Sequence, residues 1–267
     1  MSEEKLLKIA AVGDNCIDAY QNLNQAFPGG NPVNVAVYSV RLGGNASYTG
    51  VVGDDEYGQI MINALKEKGV DTSHIRVLPG KTAVTQVELV NGERIFGDYD
   101  EGVLADFKLT QEDIEFLCSH DIVVSGLWGM IENDLYKIKA KGTPIAFDFA
   151  TKFEDPVVEK AVPWVDYAFF ASDDKDTKEN RDFLKEMYKK GPKLVVMTLG
   201  EQGSIAYDGN SFYQFGIIKC EVKDTMGAGD SYIAGFLRGL LLGKSIEECM
   251  EAGAGNSSVT LQYTGAW

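Results

Sequence analysis

Strand-like apolar runs alternate with helix-length stretches along most of this chain, and that rhythm limits the folds open to it. The runs are Lys8 to Val12, Asp121 to Ser125, Pro144 to Phe149, Asp166 to Phe170 and Lys193 to Leu199, with helical stretches such as Asp182 to Lys190 among them. Strands that alternate with helices pair side by side in the same direction, so the pattern predicts an α/β fold built on a doubly wound, mostly parallel sheet. At 267 residues the chain is long enough for one such domain with a large core.

Between the first run and the second the rhythm breaks. Asn31-Pro32 opens a helix, with Asn31 read as the N-cap and Pro32 as the first helical position. Val33, Ala36, Val37 and Val40 form its buried face and leave Asn34 off that face, in the first turn, within reach of a ligand. Gly58 to Lys68 predicts a second helix, stopped at Gly69. Thr82 to Val90 and Arg94 to Tyr99 flank Asn91-Gly92, which predicts a β-hairpin projecting from the main body. Ser204 to Asp208 and Ser211 to Phe215 predict another hairpin, turning at Gly209-Asn210. Two helices follow, Ser231 to Leu242 before Gly243, and Ser245 to about Gln262.

The charge balance excludes whole classes of partner. The chain has 40 acidic and 25 basic residues, a formal charge of −15, whereas nucleic-acid binding calls for a basic footprint. No apolar run is long enough to span a bilayer, and Met1 to Lys8 lacks the apolar stretch of a signal peptide. A cytoplasmic protein with neither nucleic-acid nor membrane partner is therefore expected. Cys16, Cys118, Cys220 and Cys249 are scattered, with no CxxC spacing, and read as free thiols in a reducing compartment. The histidines are His74 and His120 alone, so any metal is expected to be a hard, oxygen-ligated ion such as Mg²⁺.

The segment richest in chemistry is Asp224-Thr225-Met226-Gly227-Ala228-Gly229-Asp230, placed where an apolar helix begins. A helix start exposes unpaired N–H groups and the positive end of the macrodipole. Gly227, Ala228 and Gly229 let an anion approach that backbone closely. Asp230 then sets a proton acceptor beside the anion, which suits phosphoryl transfer to a hydroxyl. Gly29-Gly30 with Asn34 offers backbone and a donor–acceptor amide to a polyol. Asp14, at the carboxyl end of the first strand where ligands of open α/β sheets bind, is a second hydroxyl anchor. Thr198, Gly200 and Gly203, in the stretch Thr198 to Ser204, fit phosphate or ribose contacts at another strand end. Gly53 to Gly58 reads as an acidic loop at a helix start. A dinucleotide-binding oxidoreductase would carry Gly-x-Gly-x-x-Gly after its first strand; here Gly13-Asp14-Asn15-Cys16-Ile17-Asp18 stands in that place.

In order and spacing, Gly29-Gly30 with Asn34, Val52-Gly53-Asp54-Asp55 with Gly58, Thr198 to Ser204 and Asp224 to Asp230 resemble the ribokinase-like, PfkB-type carbohydrate kinases, over essentially the whole chain. The resemblance implies one kinase domain over residues 1–267, with a small β-sheet lid from about residues 16–28 and 82–100 closing over the sugar. It implies ATP-dependent phosphorylation of a sugar hydroxyl, with Mg²⁺ bridging the phosphates and a monovalent cation as a further candidate. Carried over by residue, it implies Asp230 as catalytic base and Gly227, Ala228 and Gly229 as the anion hole. Asp14, Gly30 and Asn34 become sugar contacts. Thr198, Gly200, Gly203 and Thr225 become nucleotide contacts, with Asn256 bordering the adenine. Family members often pair their lids, so a homodimer is expected. One departure stands out: the family's Asn-x-x-Glu after Phe170 is replaced by Ala171-Ser172-Asp173-Asp174-Lys175-Asp176, leaving Asp173, Asp174 or Asp176 to organise metal-bound water.

A narrower likeness lies in Gly13 to Asp18, in Phe96 to Tyr99 with Glu101 to Val103, and in Gln262 to Trp267. These are similar to the branch of the family that phosphorylates fructosamines at the 6-hydroxyl. That likeness sets the lid acids Asp98, Asp100 and Glu101 against the cationic amines of a lysine-bearing sugar, and Arg94 against its carboxylate. A kinase of another ketose or of a nucleoside, and a sugar sensor without catalysis, are the alternatives.

Overall fold

The computed structural model describes residues 6–20, 25–90 and 93–267. The strands, in chain order, are β1 (Lys8–Val12), β2 (Cys16–Tyr20), β3 (Gln25–Gly29), β4 (Asn45–Gly53), β5 (Asp71–Leu78), β6 (Val84–Val90), β7 (Glu93–Asp100), β8 (Ile122–Gly126), β9 (Ile145–Asp148), β10 (Tyr167–Ala171), β11 (Leu194–Thr198), β12 (Ser204–Tyr207) and β13 (Phe212–Phe215). The α-helices are α1 (Asn31–Arg41), α2 (Glu56–Glu67), α3 (Gln111–Leu117), α4 (Leu135–Ala140), α5 (Pro156–Ala161), α6 (Lys178–Lys189), α7 (Ala228–Leu241) and α8 (Ile246–Thr260).

Among the described residues a nine-stranded sheet runs β13-β12-β11-β10-β9-β8-β1-β4-β5, parallel throughout except for the antiparallel hairpin β12–β13 at one edge. All five apolar runs of the sequence are strands of this sheet. They were legible because helices cover both faces, so most side chains of such a strand are apolar. Alternate residues part the core. Val123 packs with α3, α4, α5 and α6 through Ile114, Leu135, Val158 and Leu184. Its neighbours Ile122 and Val124 pack with α1, α7 and α8 through Val35, Phe236 and Met250.

β4 and β5 are absent from the sequence reading. β4 reads Asn-Ala-Ser-Tyr-Thr-Gly-Val-Val-Gly and buries Ser47 and Thr49 beside its apolar residues, so its polar content disguised a fully buried strand. The first helix also differs in its cap. Gly30 is the N-cap and Asn31 the first helical residue, with no side-chain capping bond. The Asn31 amide is engaged elsewhere, as described below. Gly30 holds φ +111°, and a Cβ there would lie 2.7 Å from Cα of Asn15 and 2.9 Å from the carbonyl oxygen of Asp14. Only glycine lets the chain entering α1 cross the loop leaving β1 so closely.

A separate four-stranded sheet runs β3-β2-β6-β7, in the segments the resemblance assigns to a lid. Its root is fixed to the main body by the Gly53–Asp55 loop. Asp55 caps α2 by accepting from the Gly58 amide, and it also takes the Thr82 hydroxyl at 2.6 Å and the Thr82 amide at 3.0 Å. The acidic loop therefore has the structural role its helix-start pattern suggests. Residues 1–5, residues 21–24, the turn Asn91-Gly92 and the side chain of Arg94 lie outside what is described.

Candidate active site

β1 lies between β4 on one side and β8 on the other, so the chain's winding reverses there and opens a crevice at the carboxyl ends of the strands. Three carboxylates converge in it. Asp14 follows β1, Asp148 ends β9, and Asp230 sits in the first turn of α7. Asn31 joins them. Its amide nitrogen donates to Asp148 at 2.7 Å and to Asp230 at 2.6 Å, and its backbone N–H donates to Asp14 at 3.2 Å. Asn34, one turn on, donates to the other oxygen of Asp230 at 2.7 Å and accepts from the indole N–H of Trp267 at 2.7 Å. Proline at the second helical position and glycine before the first start α1 at this point, which aims both asparagines at α7.

Burial dominates the electrostatics. Desolvation raises Asp230 to about 6, opposed by the hydrogen bonds from Asn34 and Asn31. Asp148 rises to about 7, through burial and then the charge of Asp230. Asp14 also rises to about 7, again chiefly through burial and despite the bond from Asn31. One Asp14 oxygen, Oδ1, is buried without a hydrogen-bond partner, as is Oδ1 of Asn31. Such atoms are costly where nothing satisfies them.

The Asp148 shift has a stability consequence. The folded protein binds this proton more tightly than the unfolded chain, so deprotonation favours unfolding. The cost is absent below the ordinary carboxylate pKa, grows as pH rises and is complete above about 7. Asp148→Asn removes it. Thermal melting of the ligand-free protein should therefore shift in the variant's favour, relative to wild type, between about pH 5 and about pH 8. Parallel melting curves across that range would contradict the assignment.

The start of α7 faces a second region. Gly227 is its N-cap at φ +71°. The Ala228 amide turns back to the Thr225 carbonyl at 3.2 Å, so it is less available to an anion than its place in the sequence suggests. Among the described residues the Gly229 and Asp230 amides have no backbone acceptor. Beside them opens a cavity of about 590 Å³. Thr198, Gly200, Gly203, Thr225, Ala228 and Gly229 line its polar side, and Ile217, Ile218, Val222, Ala254 and Leu261 its apolar side. A volume and lining of this kind fit a nucleotide.

Asn256 does not line that cavity. Its amide donates to the Ser231 carbonyl at 2.7 Å and its oxygen accepts from Arg41 at 2.6 Å, which commits it to the α1–α7–α8 packing. Asp176 is likewise committed, to a two-pronged ion pair with Arg181 at 2.7 and 2.5 Å. Asp173 and Asp174 are exposed just past β10, where the Ser172 amide bonds the Thr198 carbonyl at 2.9 Å. Among the described residues no three His, Cys, Asp or Glu side chains are grouped to hold a metal. Asp98, Asp100 and Glu101 are exposed at the end of the lid, beside Tyr99. Burial, then Cys16, then Asp14, then Glu101 and Asp100 push the Tyr99 phenol above its ordinary range.

Asn31 and Asp148 were missed as site residues. Asn31 looked like a cap, and Asp148 carried no local pattern beyond its place at a strand's carboxyl end, the same signal that had marked Asp14.

The pfkB family carbohydrate kinase profile matches residues 8–267. The fructoselysine 6-kinase of Escherichia coli K12 is 45% identical over 259 residues, covering 97% of this chain and 99% of that protein. The fructosamine kinase FrlD of Bacillus subtilis is 36% identical, covering 98% and 93%. The ribokinase of Arabidopsis thaliana, solved with ribose and ATP, superposes with a TM-score of 0.84 at 23% identity, covering 97% and 93%. That last likeness establishes the ribokinase-like fold. With a family match spanning nearly every residue, this chain belongs to the pfkB family of carbohydrate kinases.

Proposed function

We propose that this kinase transfers the γ-phosphoryl group of ATP to the 6-hydroxyl of fructoselysine or a close fructosamine. The observation that carries the reading is the position of one turn. Asp230 bonds Asn31 and Asn34 on the crevice side, while Gly229 beside it lines the nucleotide cavity. A base and an anion-binding backbone thus meet where two ligands would meet.

In this reading the adenine lies against Ile217, Ile218 and Val222, and the phosphates reach the Gly229 and Asp230 amides. The sugar lies under the lid, held by Asp14, Gly30 and Asn34. Asp230 accepts the proton of the 6-hydroxyl as its oxygen bonds to phosphorus, and the bond from phosphorus to ADP breaks. Mg²⁺, when bound, neutralises phosphate charge. The exposed carboxylates of Asp173 and Asp174, just past β10, are the residues that would hold it through water. The lid acids supply the complement to a cationic lysine end, and the 45% identity to a fructoselysine 6-kinase supports the same substrate. The whole chain acts as one kinase domain with its lid, in a cytoplasmic homodimer; the four unpaired cysteines and the half-exposed Phe27 on edge strand β3 support these two points.

A coupled ADP-release assay over fructoselysine, other fructosamines, fructose, ribose and adenosine tests the substrate. Fructoselysine should give the highest kcat/KM, and a preference for fructose would overturn the assignment. Asp14→Ala should weaken sugar binding by about tenfold or more, since it removes a buried hydrogen-bond partner, and leave nucleotide affinity nearly unchanged. Calorimetry showing equal loss of both ligands would contradict the role of Asp14.

A further inference from the structure

The segment Gln262 to Trp267, part of the narrower family likeness, has no task in the mechanism above. Its contacts give it one. Gly265 donates its amide to Asp224 at 2.7 Å, in the loop leading to α7. The carbonyl of Ala266 accepts from the Tyr38 hydroxyl of α1 and from the Tyr263 hydroxyl, the latter at 3.0 Å. The Trp267 ring packs against α1-side core residues and lies 5.5 Å from the Lys68 ammonium. The segment thus ties the leader of α7 to α1, and it delivers the Trp267 indole N–H to Oδ1 of Asn34 at 2.7 Å.

We propose that Trp267 is a positioning residue for catalysis, fixing which end of the Asn34 amide faces Asp230. This rests on the reading of Asp230 as the base. An asparagine amide can sit two ways, and its partners decide between them. The indole N–H is only a donor, so it demands the oxygen of Asn34 and turns the NH₂ toward Asp230. While Asp230 is ionised its carboxylate asks for the same orientation. Once Asp230 has taken the substrate proton, it can donate as well as accept, and its demand lapses. Trp267 still demands the oxygen, so Asn34 stays in place through the proton transfer. The second N–H of Asn34 is then left to donate to the sugar oxygen, which leaves the hydroxyl proton directed to Asp230.

The test is a double-mutant cycle in the full chain, read as kcat/KM for fructoselysine. Trp267→Phe keeps a packed ring and loses the N–H. It should lower kcat/KM by about tenfold, the worth of one buried hydrogen bond at a charged site, with KM for ATP within about twofold. In an Asn34→Ala background the same change should cost less than about twofold, because the two residues act as one unit. Equal losses in both backgrounds would make the segment merely structural and overturn the proposal, as would a Trp267→Phe enzyme of wild-type activity. A folding defect would appear in both backgrounds and is detected by the same comparison. Asp230→Asn is assayed alongside; wild-type turnover there would overturn the proposed function itself, a failure distinct from loss of coupling between Trp267 and Asn34.

Discussion

Asp230→Asn should lower kcat by roughly three to four orders of magnitude while the fold and the affinity for both ligands persist. The substitution keeps size and shape, removes the proton acceptor and turns one of the two oxygens into an NH₂ that faces an asparagine N–H. The site is built to hold a charge at that point: two amide N–H groups, from Asn31 and Asn34, reach its two oxygens at 2.6 and 2.7 Å. Each oxygen retains a lone pair for the substrate proton. The raised pKa of about 6 makes Asp230 a stronger base than an exposed aspartate, yet leaves it mostly ionised at neutral pH. In the wild type kcat/KM should therefore fall with acidification through about pH 6, as the base fills with its proton. Asp14 and Asp148 lie close by, so the observed midpoint belongs to the coupled group. Steady-state rates and a melting curve of the variant check the prediction. Near-normal turnover would remove Asp230 from the role.

Gly227→Ala should lower kcat by at least about 100-fold, through geometry alone. At φ +71° a residue with a Cβ loses about 1 kcal/mol. That Cβ would also stand 2.3 Å from the Tyr38 hydroxyl and 3.2 Å from Cβ of Ala266. Tyr38 is fully buried and donates to the Ala266 carbonyl, so it cannot swing away. The strain must then displace the first turn of α7, which carries both the Gly229 and Asp230 amides, proposed to hold phosphate, and the Asp230 carboxylate. A second substitution separates this cause from others. Tyr38→Phe removes the clashing oxygen, and the Ala266 carbonyl keeps the Tyr263 hydroxyl at 3.0 Å. Gly227→Ala with Tyr38→Phe should recover a substantial part of the lost rate. No recovery would show that the loss comes from somewhere other than this contact.

What the sequence displayed of this enzyme follows from how local each signal is. The parallel strands were visible because double-sided burial makes each one mostly apolar, with its polar residues at the ends, and β4 escaped because buried Ser47 and Thr49 interrupt that pattern within the strand. The α7 leader stood out because small residues in consecutive positions at a helix start are a local pattern that the sequence displays directly. Asn31 was legible only as a cap, since its true partners stand 117 and 199 positions away. The family resemblance alone sets Asn256 beside the adenine, whereas Arg41 and Ser231 engage it in the interior. Neither pairing leaves a trace in neighbouring residues. The task of Trp267 has the same character: its meaning lies in a contact with Asn34, 233 positions earlier.

The central claim concerns which atom receives the phosphate. Phosphorus NMR of the product formed from fructoselysine and ATP tests it directly. Transfer to the primary 6-hydroxyl attaches phosphorus next to a CH₂ group, so the proton-coupled signal should be a triplet. A doublet from a secondary hydroxyl, or no phosphorylated fructoselysine at all, would contradict the account.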